Sequence, residues 1–174
     1  CYQADAVWQS GQQQQANELA RLLWLNQTSM PEQCDPVFHR LRKAGGINQQ
    51  LAWQRFELAV IAGENQLARY LVRYLKPKTA RKAQQLHELY RNPGRLNKHS
   101  QHDFRDPKQQ KILSASLTKL AKIKPETAFK ALDTYRQQDR LPQALLAELY
   151  AQVGLYLAHS GKMTDSLDQF PLEL

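Results

Sequence analysis

A run of cations, a pair of cysteines and a scatter of histidines are the residues of this chain with chemistry to offer. From Lys76 to Arg105, eight cations (Lys76, Lys78, Arg81, Lys82, Arg91, Arg95, Lys98 and Arg105) stand against two carboxylates, Glu88 and Asp103. Most of the formal charge of +8 therefore sits in this stretch. Such a cluster can hold an anionic polymer: nucleic acid, an acidic glycan or lipid head groups. A solvated helix face followed by a basic loop has the same composition. No regular alternation of aromatics with the cations provides the stacking platform that single-stranded nucleic acid needs.

The cysteines are Cys1 and Cys34, and there are no others. Two cysteines alone do not make a zinc site, and His39, His87, His99, His102 and His159 do not join them at ligand spacing. Two readings remain: a pair of buried thiols, the commoner case in a reducing compartment, or a bridge in an oxidising one. Cys1 lies just before the first helix of a hairpin and Cys34 just after the second. An antiparallel pair returns the chain end towards its start, which favours the bridge. His99 and His102 in the basic loop could touch an anion, and a plain solvated loop accounts for them equally. No GxGxxG, P-loop, HExxH or GxSxG pattern occurs, so no cofactor and no metal are expected. No run of 18 apolar residues exists to span a membrane.

The elements that position these residues are helices. Leu, Ala, Gln, Lys and Arg dominate, only seven residues are Gly, and alternating β-branched runs are absent. Apolar residues recur at helical spacing in Ala16, Leu19, Ala20, Leu23 and Trp24, in Leu67, Tyr70, Leu71, Tyr74 and Leu75, and in Leu146, Leu149, Tyr150, Val153 and Leu157. Gly11, Gly45-Gly46, Gly63, Asn92-Pro93-Gly94 and Gly161 break the pattern, and Pro31, Pro36, Pro77, Pro107, Pro125 and Pro142 stand where first turns begin. This spacing predicts roughly eight to ten helices of about 10–18 residues. The least helical stretch is Asn92 to Asp106. Three segments share one design, with a small residue five positions after a glycine: Ala16 after Gly11, Ala68 after Gly63 and Ser166 after Gly161. The leucines at 19 and 23 then match those at 71 and 75. The fold class expected is all-α, an irregular α-solenoid or superhelix of antiparallel helix hairpins of tetratricopeptide type, running from 1 to 174 as a single segment.

The stretch "CYQADAVWQSGQQQQANELARLLWLNQTSMPEQCD" resembles the start of the superhelical region of soluble lytic murein transglycosylases. The resemblance lies in the first cysteine, Trp8, Gly11, the Leu-Trp-Leu at 23–25, Pro31 and Cys34-Asp35, and it continues through "LAWQRFELAVIAGENQLARYL". It is specific from Cys1 to about Leu75, and beyond that it is a weaker match of helix pattern, best from Leu141 to Gly161. Leu41 replaces the tryptophan of some relatives. The resemblance implies a Cys1–Cys34 disulfide, a periplasmic location and a parent protein that cleaves the β-1,4 bond between N-acetylmuramic acid and N-acetylglucosamine in peptidoglycan, leaving 1,6-anhydro ends. In that family one Glu of a C-terminal lysozyme-like domain does the chemistry, and the helical region forms a ring that holds the glycan.

The catalytic signature of that family, Glu-Ser followed by Gly-Leu-Met-Gln, does not occur, and no Glu precedes a Ser. Glu57, between Phe56 and Leu58, is the one carboxylate worth testing as a general acid, and its expected place is the polar face of a helix. With no Met start and no leader, the chain reads as a processed or excised piece: a non-catalytic helical segment of a larger periplasmic enzyme. Its expected partners are peptidoglycan glycan strands and the catalytic domain of the same parent chain, with no nucleic acid and no integral membrane segment. The rivals are a tetratricopeptide-like protein-interaction scaffold with no glycan role and a cytosolic nucleic-acid-binding helical repeat, the latter marked by free thiols and salt-sensitive affinity.

Overall fold

The computed structural model describes residues 1–98 and 102–160, and among them there are nine α-helices and no strand. The helices are α1 (Tyr2–Gln9), α2 (Gln13–Trp24), α3 (Asp35–Lys43), α4 (Gln49–Ile61), α5 (Asn65–Leu71), α6 (Pro77–Arg91), α7 (Pro107–Ile123), α8 (Pro125–Gln137) and α9 (Gln143–His159). Single 3-10 segments occur at Glu32–Cys34, Val72–Tyr74 and Pro93–Lys98. The all-α class and the helix number agree with the sequence. The lengths do not fully agree: α1, α3 and α5 have 8, 9 and 7 residues. In α5 the apolar stripe expected to run to Leu75 leaves the α-helix after Leu71 and finishes through the tighter 3-10 turn. The chain divides into two compact units, Cys1–Gln85 and Leu86–Leu174.

In the N-terminal unit the hairpins form where the glycines predict. Gly11 and Gly63 have φ of 83° and 79°, a left-handed conformation that an L side chain resists. Each lies one residue past a helix cap. The Gly11 N–H donates to the Trp8 carbonyl and that of Gln12 to the Val7 carbonyl; the Gly63 and Glu64 N–H groups reach Val60 and Ala59 in the same way. This paired 5→2 and 6→1 pattern satisfies the last carbonyls of α1 and α4 and turns the chain back at once. Helix α2 then packs on α1, and α5 on α4.

Ala16 and Ala68, five residues past those glycines, are 3% and 0% exposed. Leu71 and Leu75 are buried with Ala68, whereas Leu19 and Leu23 are only half-buried, and the line that α2 buries is Ala16, Ala20 and Trp24. Packed helix axes lie about 8–10 Å apart, so a small residue at the contact has no room to grow. Ala68→Leu is expected to cost about 1–3 kcal/mol by overpacking, and Gln66→Leu, at an exposed position, less than about 0.5 kcal/mol. Urea unfolding followed by tryptophan fluorescence decides this, because Trp8, Trp24 and Trp53 all lie in the N-terminal unit. Equal midpoints for Ala68→Leu and the parent would mean that the seam is loose. The third hairpin, at Gly161 and Ser166, lies outside the described residues.

Cys1 and Cys34 are joined in a disulfide with Cα atoms 5.1 Å apart. The hairpin α1–α2 does return the chain to its start, and the bond ties the residue before α1 to the turn that opens α3. An ion pair between Arg40 and Asp5 also joins α3 to α1.

In the C-terminal unit, α7, α8 and α9 pack on one another, and the 3-10 segment Pro93–Lys98 covers α7 and α8. Asp106 caps α7 by accepting from the Lys108 N–H at 3.0 Å, and Pro107 and Pro125 occupy the first turns of α7 and α8. The core holds Phe104, Ile112, Leu113, Leu117, Leu132, Leu149, Tyr150 and Leu157, all below 2% exposure. Burial pushes the Tyr135 and Tyr150 phenols up to about 12, from an ordinary value of 10. A group that holds its proton more tightly folded than unfolded stabilises the fold fully below the unfolded value and loses that contribution as pH rises through the folded one. These two phenols therefore leave stability level up to pH about 10 and lower it between about 10 and 12. In a phenolate absorbance titration, Tyr135→Phe and Tyr150→Phe should each remove one late-titrating phenol. Titration of all tyrosines in a single step near pH 10 would contradict this.

Candidate functional site

The basic run does not act as one unit of charge. Lys76, Lys78 and Arg81 are exposed in and just before the first turns of α6 and form no ion pair among the described residues. Lys82, one turn beyond Lys78, is half-buried. Arg91 and Arg95 share one carboxylate, that of Glu88, at 3.3 and 3.5 Å. Arg105 pairs with Asp103 at 3.1 Å and with Asp139 at 2.9 Å. Its guanidinium holds the Asp103 carboxyl below the usual range. The side chain of Lys98 lies outside the described residues. The exposed cations of the run that take part in no ion pair among the described residues are therefore those at the start of α6, where Lys78 and Arg81 stand three residues apart on one helix.

Glu57 is not on a polar face. It is 6% exposed, with the indole Nε1 of Trp53 donating to its carboxylate at 3.3 Å. The expectation of a solvated Glu fails because α4 is buried nearly all round: Ala52, Trp53, Arg55, Phe56, Ala59 and Val60 are all buried. Glu57 does not line the open cavity of this unit, described next, and burial alone does not make a carboxylate a general acid.

A second charge buried on α4 has a different setting. Arg55 is 4% exposed and lines an open cavity of about 600 Å³ in the N-terminal unit. Its guanidinium carbon lies 4.3 Å from the Trp24 ring centroid and 5.5 Å from that of Phe38. Trp24 meets Phe38 and Tyr74 edge to face, at 5.3 and 5.4 Å. The hydroxyls of Tyr70 and Tyr74, one turn apart, lie 2.9 Å from each other. Local structure places these groups. The hairpin sets Trp24 at the end of α2, α3 presents Phe38, and the 3-10 turn after α5 brings Tyr74 below Tyr70. Asn26 organises the loop after α2 by accepting from both the N–H and the hydroxyl of Thr28 at 2.9 Å.

No carboxylate among the described residues pairs with Arg55. Among the described residues its one acceptor is the Thr28 carbonyl at 3.5 Å, the outer edge of hydrogen bonding. Its Nε and the Nε1 of Trp24 are buried without partners. Burial pulls the guanidinium below its ordinary value, against smaller opposing effects of Tyr70 and Tyr74. The side chain still carries its charge at neutral pH. Stacking on a desolvated ring returns about 2 kcal/mol, less than the several kcal/mol that an uncompensated buried ion costs. The wall also carries Arg42, whose Nη2 lies 2.9 Å from the His39 ring, and one carboxylate, the exposed Asp35. The site is thus cationic at its floor, aromatic on its walls and open at its rim. The sequence reading missed it, although the signal was present: Arg55 stands on the apolar stripe of α4, three residues after Ala52 and four before Ala59.

No protein-family model and no curated protein matches the sequence. Solved structures do. The 70 kDa soluble lytic transglycosylase Slt70 from Escherichia coli matches 96% of this chain at a TM-score of 0.76 and 22% identity, using 28% of its own chain. A complex of the 70 kDa soluble lytic transglycosylase with bulgecin A matches equally, at a TM-score of 0.76 and 22% identity. An inactive mutant of the lytic transglycosylase Slt from Pseudomonas aeruginosa matches 91% at a TM-score of 0.70 and 24% identity, using 26% of its chain. This chain therefore spans about a quarter of the length of those structures. What the likeness establishes is the fold: an all-helical arrangement of hairpins like that of the superhelical region of Slt70.

Proposed function

We propose that this chain is a non-catalytic helical segment of a longer soluble lytic transglycosylase, one that cleaves the β-1,4 bond between N-acetylmuramic acid and N-acetylglucosamine and leaves 1,6-anhydro ends. The observation that carries this reading is the match of nearly the whole chain to about a quarter of Slt70. The Cys1–Cys34 bond accompanies it, since the bond joins the cysteines at which the sequence resembles that family. An oxidised pair suits the periplasm. The segment's part is to shape the scaffold that holds glycan, and the catalytic domain of the parent is its partner in the same chain. The exposed cations Lys76, Lys78 and Arg81 are the members of the basic run best placed to meet the carboxylates of peptide-bearing glycan.

The chain is expected to co-sediment with peptidoglycan sacculi at low salt and to release no anhydromuropeptides from them. Lys78→Glu with Arg81→Glu should reduce the bound fraction at least threefold. Anhydro products above a boiled control, abolished by Glu57→Gln, would overturn the non-catalytic reading. Retention no greater than that of an unrelated helical protein of equal charge would remove the glycan role and favour a protein-interaction scaffold.

A further inference from the structure

We propose that the Arg55 cavity is a binding site for a carboxylate, that of the free C-terminal end of a short peptide. The proposal needs only the N-terminal unit and stands whether or not the parent chain is a glycan-cleaving enzyme. Four observations support it. Arg55 is a cation more than nine-tenths buried, with no carboxylate partner among the described residues and an Nε that bonds to nothing. It lines a cavity of about 600 Å³, within the ordinary range for small-ligand sites. The cations around that space, Arg55 and Arg42, outnumber the single wall carboxylate, Asp35. The aromatic faces of Trp24 and Phe38 hold the guanidinium plane, so its donor edge is oriented before any ligand arrives.

The chemistry selects the ligand class. A planar guanidinium meets a carboxylate through two parallel N–H···O bonds, and a shielded site strengthens them. Leu67 and Met30 supply apolar wall for a small side chain, and Gln66 and Ser29 offer an amide and a hydroxyl that can meet a peptide group. Arg42 at the rim adds positive charge that draws an anion inward. A tetrahedral oxyanion has no apolar arm to set against those walls, so inorganic phosphate should bind more weakly than a peptide acid.

The test uses the full 174-residue chain and three probes: N-acetyl-Ala-Ala with a free carboxylate, the same dipeptide as its C-terminal amide, and inorganic phosphate. Binding is read from tryptophan fluorescence and from calorimetry at low salt. The free acid is expected to saturate, with the amide and phosphate each at least tenfold weaker. Arg55→Met, which keeps the length and removes the charge, should reduce affinity for the acid at least tenfold while leaving the helical circular dichroism intact. Arg42→Gln should weaken it by a smaller factor. Equal binding of acid and amide, phosphate binding as tightly as the acid, or no saturation by any probe would overturn the proposal. The acid-to-amide comparison on the unaltered protein decides the matter even if Arg55→Met fails to fold.

Discussion

Removing the Cys1–Cys34 bond should lower the stability of the N-terminal unit by about 3–4 kcal/mol. The bond spans 33 positions of sequence, and closing a loop of that length deprives the unfolded chain of much of its freedom. The folded state gives it little to oppose, since the hairpin already brings the two ends together. Without the bond, α1 is held by its packing on α2 and by the Arg40–Asp5 pair. That pair is partly exposed, so it contributes about 1 kcal/mol or less. An eight-residue helix is also too short to persist alone. Comparing the oxidised chain with Cys1→Ser/Cys34→Ser by urea unfolding, with tryptophan fluorescence as the probe, isolates the effect in the unit that holds all three tryptophans. Reductant should shift the midpoint of the parent and leave that of the double variant in place. Two thiols alkylated in unreduced protein, or a loss under about 1 kcal/mol, would contradict the assignment of the bond or of its role.

Much of this fold was legible because its punctuation is local. Gly11, Gly63 and the proline positions act through their own φ, and such signals do not depend on what lies across the core. The pairing of α1 with α2 and of α4 with α5 then follows from short turns. Features that depend on a third element escaped. The turn after α8 has the same hydrogen-bond pattern as the glycine turns but is made by Asp139, at φ 53°; no glycine marks it. Helix α4 reads as a helix with one apolar face, yet neighbours on several sides bury Arg55 and Glu57 as well. The basic run was visible as composition, but the pairing of Arg105 within it depends partly on Asp139, which lies 34 residues away. The cavity combines the last residue of α2, the middle of α3 and α4 and the end of α5, and no spacing rule links residues so far apart.

The stretch from Asn92 to Asp106 shows the same limit, and it carries the second large prediction. Its composition is that of a solvated basic loop, and the sequence reading treats it so. Its single aromatic, Phe104, is nevertheless 0% exposed. The ring stands edge to face on Tyr135 at 5.0 Å. The Phe104 N–H donates to the Arg140 carbonyl at 3.0 Å, which ties Phe104 to the turn that follows α8. Phe104→Ala should therefore cost about 3–5 kcal/mol, the range for emptying a closed aromatic site. It would also leave the already partnerless Tyr135 hydroxyl facing a void. The neighbouring Arg105→Ala removes two ion pairs that are half exposed or more on the arginine side, and should cost about 1 kcal/mol or less. The contrast separates a plug from a charged surface: one position apart, one change should disrupt the C-terminal unit and the other barely alter it. Hydrogen exchange of the α7–α9 amides with urea unfolding by circular dichroism provides the readout. A Phe104→Ala chain whose α8 amides keep parental protection would show that the ring lies on the core rather than within it.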